Sequence, residues 1–475
     1  MRGGYGRAVW LPPGPAVRRP RGAALIPALA VIAGLLGAPG VAAGDWTRPQ
    51  VLSPAPGGDV DTIALSPVVT GDGRAVVAWR SASDEATPDR LFALDARTGR
   101  VSAPVPSPLV AAGRPVALEG PDALAALGDD RIVALADDPR SPATRIRFGL
   151  SDAALRPAGV RTLDLHGEPR RPVVRASGGH LAIAALVAPE GATASAERVV
   201  VATGPADGRL VVRRLSAPGG IADFAIDVGA SGDVAAVWSV ERRDEDGRSR
   251  RVFGRTMSAD GRTGPIRALG PWSETIEIGS VDVDRRGRSA ATWIADATPV
   301  GSIDGDLRRR PWVARARRRG ALVPVRFGDG GRPLSSDRPI GSADAVAATF
   351  ADSGGLVLAV EGHGRVSAGP LRRSGRLQRL SPRGHPAAID AVAGAGGRTA
   401  VAWSPVIGAD APDLFAPQPS FVSVRGPGGR FAAPHRLGTA ITAGPTIAVS
   451  PDGRRVVAAW LRGDHAQPRV AELLP

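Results

Sequence analysis

IAVSPDGRRVVAAW, residues 447–460, reads as strand, tight turn, strand. Asp452 and Gly453 suit a hairpin turn because such turns need residues that tolerate positive φ. Beyond the turn, Ala alternates with Val and both faces of the strand are apolar. A strand with one wet face would alternate apolar with polar, so this one needs packed layers on both sides.

The hairpin recurs along the chain: GDGRAVVAW (71–79), GDDRIVALA (128–136), SGGHLAIAA (177–185), ASGDVAAVW (230–238), RRGRSAATW (285–293), DSGGLVLAV (352–360), AGGRTAVAW (395–403) and DGRRVVAAW (452–460). Copies end 43 to 67 residues apart, near the length of a four-stranded propeller blade with generous loops. The last copy holds one more residue between its Gly and its Trp than the first. A second hairpin follows most of the first ones, at 90–105, 198–216, 251–270, 311–328, 364–381 and 420–438, with a looser version at 145–165. Two hairpins make four strands, A to D, in a unit that cannot bury both faces without neighbours.

The eighth unit ends one strand short. GDWTRPQVLS (44–53) matches GRFAAPHRLG (429–438), the last strand of the preceding unit, with Gly, an aromatic, Pro and Leu in corresponding places. An opening segment patterned like a closing strand predicts a ring in which the N-terminal strand completes the last sheet and removes its open edge. The expected fold is all-β: a β-propeller of eight four-stranded blades, or seven if the second or sixth unit is degenerate.

Ser450-Pro451-Asp452-Gly453-Arg454 also resembles the SPDG-type repeat of TolB-like and WD-repeat β-propellers. The match is strong in that unit and weak in the other seven, and the Trp-Asp dipeptide is missing. The resemblance implies the fold and leaves function open, since that class hosts scaffolds, binders and enzymes.

Residues 1–43 carry five arginines and no acid, then the apolar run AALIPALAVIAGLLGA (23–38) and small residues at Val41, Ala42 and Ala43. That is the pattern of an export signal cleaved near Ala43, with an uncleaved anchor as the alternative; the Arg18-Arg19 pair fits a twin-arginine motif poorly. We therefore expect a secreted or extracytoplasmic single domain over 44–475, monomeric and without a membrane span. Removing the leader lowers the net charge from +14 to +9, all of its positive side chains being arginine. The Cys count is zero, so no disulfide supports the fold.

Absences narrow the chemistry. Tyr5, inside the leader, is the single tyrosine, which removes the Tyr nucleophile of sialidases. Without Cys or Lys, thiol nucleophiles, Schiff bases and the phosphate-loop lysine are excluded. Asp352-Ser353-Gly354-Gly355 resembles a serine-protease nucleophile region, but it falls where every unit has its A–B turn.

The A–B turns are tight and the B–C loops long and polar, which places candidate binding on the B–C face. There, Arg308, Arg309 and Arg310 beside Trp312 suit an anionic cell-envelope polymer, although Arg315 and Arg317 continue the run as the wet face of an outer strand. Asp244 and Asp246, like Asp304 and Asp306, have short spacings that suit calcium but fall short of an EF-hand, so no cofactor is expected beyond that one ion. Trp79, Trp238, Trp293, Trp403 and Trp460 share one position in the repeat and read as blade core. The expected function is a non-catalytic module binding protein or envelope glycan, without nucleic acid. The alternative is a carbohydrate-active enzyme, hydrolase or lyase, with paired carboxylates in the central channel.

Overall fold

The turn residues place the strands. In the computed structural model Gly73, Gly232, Gly287, Gly397 and Gly453 hold φ between 71° and 84° at equivalent points of their A–B turns. At the last of these, Ser450 Oγ donates to Asp452 Oδ1 at 2.5 Å, and Asp452 Oδ1 accepts the N–H of Arg454 at 2.9 Å. The Asp side chain thereby satisfies the turn's own backbone. The structure describes residues 46–473 apart from several stretches, the longest being 53–61, 82–89, 297–308, 326–342 and 406–417.

Among the described residues there is no α-helix, and the strands form eight sheets. Seven are four-stranded and antiparallel, with strand A innermost and strand D outermost. Blade four is representative: Gly220–Val228, Val234–Asp244, Gly247–Met257 and Arg267–Ala268 pair in that order. The inner strands stand side by side in a closed ring, Thr446–Val449 of blade eight packing beside Thr62–Val69 of blade one. The molecule is a β-propeller. Blade two departs from the rule: its sheet has seven short strands and includes a parallel pairing of Ala158–Asp164 with Leu109–Ala111.

The second strands form the core because they are apolar on both faces. Trp238, Trp293, Trp403 and Trp460 are each at most 2 % exposed. In three blades the Trp stacks on the aromatic directly across in strand C: Trp238 on Phe253, Trp293 on Trp312 and Trp403 on Phe421, with centroids 5.7 to 6.4 Å apart. The outer strands of blades three, four and six each lead into a buried leucine, Leu215, Leu269 and Leu380.

Ring closure follows the expected route. Gln50–Val51 pairs antiparallel with Gln467–Leu473, completing the sheet of blade eight. Leu52 takes the position of the outer-strand leucines, 2 % exposed among Val69, Ala75 and Val77 of blade one and Val457, Ala459 and Leu461 of blade eight. Trp46 stacks on His435 at 5.3 Å. The extra residue in the last hairpin has a use as well. Arg455 is buried, and its guanidinium donates to the carbonyl of Gly73 in the first blade's turn.

Candidate functional site

Two regions gather chemistry, one at each end of the ring. Because A–B and C–D turns share one end of an antiparallel blade, the B–C loops lie at the other.

At the B–C end, the B–C hairpin of blade four extends as an arm. Its strands Val234–Asp244 and Gly247–Met257 pair continuously from Val234↔Met257 to Asp244↔Gly247. Alternation places Glu241 and Arg243 on one face opposite Arg250 and Arg248. Arg243 facing Arg248 is a like-charge pair, unfavourable by itself. Glu241 relieves it: Oε1 lies 2.9 Å from Arg248 Nε and 4.0 Å from Arg243 Nε, and Oε2 lies 3.0 Å from Arg250 Nη2. One carboxylate among three guanidiniums leaves that face of the arm with an excess of two positive charges. Arg243 and Arg248 remain largely in solvent, at 74 % and 50 % side-chain exposure. On the neighbouring connection, Trp272 lies under the guanidinium of Arg242, 4.2 Å from ring centroid to Cζ.

The residues singled out from sequence are distributed as follows. Asp244 closes the first strand of the arm, while Arg309 and Arg310 open the strand Arg309–Ala316, across from Asp296 and Ala295. Trp312 is half-buried and stacks on Trp293, the position held by Phe253 and Phe421 in blades four and seven. Asp246, Asp304, Asp306 and Arg308 lie outside the described residues, as do most of the B–C loops and the leader. Among the described residues no cluster of three metal-ligating side chains occurs.

At the turn end, the ring encloses a cavity of about 700 Å³ to which all eight blades contribute. Its lining carries an arc of charge that sequence reading missed. Arg175, Asp227 and Asp282 come from the inner strands of blades three, four and five. An inner strand is a sheet edge whose N–H groups lack a ladder partner on the lumen side. The carboxylates supply one: Asp227 Oδ2 accepts the N–H of Val283 in the next blade at 2.7 Å, and Asp282 Oδ2 accepts that of Phe350 in the blade after. Asp390 of blade seven does the same for Ile447 of blade eight at 2.9 Å, and the hydroxyl of Ser280 for Ala348 at 2.8 Å. In each case the acceptor reaches one residue further along the neighbouring strand, so the blades are tied in register.

Enclosure changes the acids. Burial, with the charge of Asp282, pushes Asp227 up to about 8 against the pull of its backbone donors and Arg175. Burial also raises Asp282, which hydrogen-bonds the side chains of Thr349 and Asp227, and it raises Asp390. Asp227 and Asp282 line the lumen and are half-buried, so channel water moderates this desolvation without removing it. Asp227 and Asp282 thus share a proton at neutral pH. A signal for them existed in the sequence: Ile226-Asp227-Val228 and Val281-Asp282-Val283 place an acid in an apolar strand at the same offset before the turn glycine.

No family model and no curated protein matches the chain. Solved structures similar to it include a prolyl endopeptidase (11% identity, TM-score 0.46, 85% of this chain and 55% of that one). Others are the polysaccharide lyase Uly1 (13%, 0.44, 79% and 91%) and the Penicillium chrysogenum α-L-arabinanase complexed with arabinobiose (10%, 0.38, 90% and 98%). The chain spans about half the length of the prolyl endopeptidase it matches. Likenesses this distant carry nothing about this chain's chemistry, and none points specifically to TolB-like or WD-repeat propellers.

Proposed function

We propose that the protein is an extracytoplasmic, carbohydrate-directed propeller that binds an acidic envelope polysaccharide on its B–C face. The observation that carries this reading is the arm of blade four, where Arg243, Arg248 and Arg250 surround the single carboxylate of Glu241. Guanidiniums recognise carboxylates through paired N–H donors, whereas Trp272 lies under Arg242 on the other face of the arm. The arginine stretch Arg308, Arg309 and Arg310 with Trp312 belongs to the same proposed surface on blade five. The acids Asp244, Asp246, Asp304 and Asp306 are candidates there for a calcium ion bridging to the polymer.

A second reading, a carbohydrate-active enzyme, is favoured by one observation: Asp227 keeps its proton at neutral pH, as a general acid must. Against it, Asp227 and Asp282 are in hydrogen-bonding contact. Glycosidase pairs stand about 5–10 Å apart. A catalytic pair would therefore need Asp390, three blades further round.

Both readings meet in one experiment. The protein is titrated with polygalacturonate and with neutral dextran in a salt series, and reducing ends are followed in the same samples. We expect salt-sensitive binding of polygalacturonate alone, weakened by Arg243→Gln with Arg248→Gln, and no new reducing ends. Equal binding of dextran overturns the proposal; release of reducing ends abolished by Asp227→Asn establishes the second reading.

A further inference from the structure

The cavity at the turn end lies at the opposite end of the ring from the arm. We propose that it is a separate binding site for a small sugar carboxylate, of mono- or disaccharide size.

Volume comes first. About 700 Å³ lies within the range of small-molecule sites, which run from about 300 to 1,000 Å³. Eight inner strands enclose it, and their edges line the lumen with backbone donors and acceptors suited to hydroxyl groups. The ties made by Asp227, Asp282, Asp390 and Ser280 use a few of these and leave the wall polar.

Charge selects the ligand class. Arg175, Arg285 and Arg286 line the cavity. Asp284 also lines it but is engaged by Arg288, Oδ2 to Nε 2.6 Å. The carboxyls of Asp227 and Asp282 are turned to each other and to the next blade's backbone. Three guanidiniums thus line this arc against the charges of two carboxylates, the third acid, Asp227, keeping its proton at neutral pH. The opposite wall, with Val68, Ala125, Val392 and Ala448, is apolar and suits the face of a sugar ring. Arg175 is held in place by donating Nη1 to the carbonyl of Val174 at 2.9 Å, and a guanidinium has five N–H donors in a fixed fork that matches a carboxylate. Arg175 lies close enough to both Asp227 and Asp390 to affect their ionisation, which puts it in reach of a ligand spanning the lumen.

The titratable and charged groups lining the cavity are Arg175 on blade three, Asp227 on blade four, and Asp282, Asp284, Arg285 and Arg286 on blade five. The lining residues of blades one, two, six and eight are uncharged. Raising the pH ionises the shared-proton pair and adds negative charge to the lumen, so a carboxylate should bind less well in alkali.

The test is calorimetric titration of the intact protein with D-glucuronate, D-glucose and inorganic phosphate, at about pH 6 and about pH 9 on either side of the pair's ionisation. Glucuronate should bind at the lower pH, about tenfold more weakly at the higher one and about tenfold more weakly to Arg175→Gln, as expected for loss of one charge-assisted contact. Glucose should not bind. Should Arg175→Gln fail to fold, Val392→Phe blocks the lumen from the opposite side and must abolish binding. Equal binding of glucose or phosphate, or an affinity unchanged by both variants, overturns the proposal.

Discussion

The seam between blades four and five and the seam between blades eight and one solve the same problem by different means. In the first, a carboxylate on one inner strand takes the N–H of the next, Asp227 to Val283, and a further one continues to Phe350. In the second, the inner strands carry no acid. The contact is made instead by Leu52 from the N-terminal segment, packed between the two blades, and by Arg455 reaching the carbonyl of Gly73. Because the N-terminal strand is the fourth strand of blade eight, the two ends of the chain meet inside that blade, next to its seam with blade one. There the chain uses its own end and an added arginine where other seams use side chains already in the strand.

The comparison is broken most severely by deleting residues 44–53. Blade eight would lose its outer strand, the stack of Trp46 on His435 and the buried Leu52, whose truncation alone costs about 2–5 kcal/mol. We expect a large fall in the calorimetric melting temperature; an unchanged value would show that Gln50–Val51 is not what closes the ring.

A smaller effect is expected at the ties. Asp390→Ala leaves the N–H of Ile447 without its acceptor and should cost about 1–3 kcal/mol by denaturant unfolding. Asp390→Asn, whose amide oxygen still accepts, should recover most of that loss. Equal losses in both variants would assign the role to charge instead of hydrogen bonding.

The smallest effect is the pH dependence of the shared-proton pair. Asp227 is raised to about 8, so between the ordinary carboxylate range and 8 the unfolded chain releases a proton that the folded one keeps. Its contribution is complete below about pH 4 and disappears as pH rises through 8. Asp227→Asn should flatten the fall in stability over that window, and an undiminished slope would place the proton elsewhere.

Blade two marks the limit of reading by pattern. Its second hairpin matched the repeat loosely, and its sheet acquires extra short strands from residues 109–118 that no periodicity announced. Trp312 shows a different limit. The sequence placed it amid arginines, and only the register shows that Trp293 stands directly across from it.

The sequence by itself determined the repeat, the turns, the core tryptophans and the closing strand. Each is a local pattern, an alternation or a turn residue, that recurs with the unit, and the match of 44–53 to 429–438 needed only comparison along the chain. The tertiary structure decided what meets in the lumen and on the arm. Arg175, Asp227 and Asp282 are 52 to 107 residues apart in the chain and converge because a ring brings equivalent positions of different blades to one axis. Their shared proton exists only because that axis is enclosed, and enclosure is a property of the whole ring.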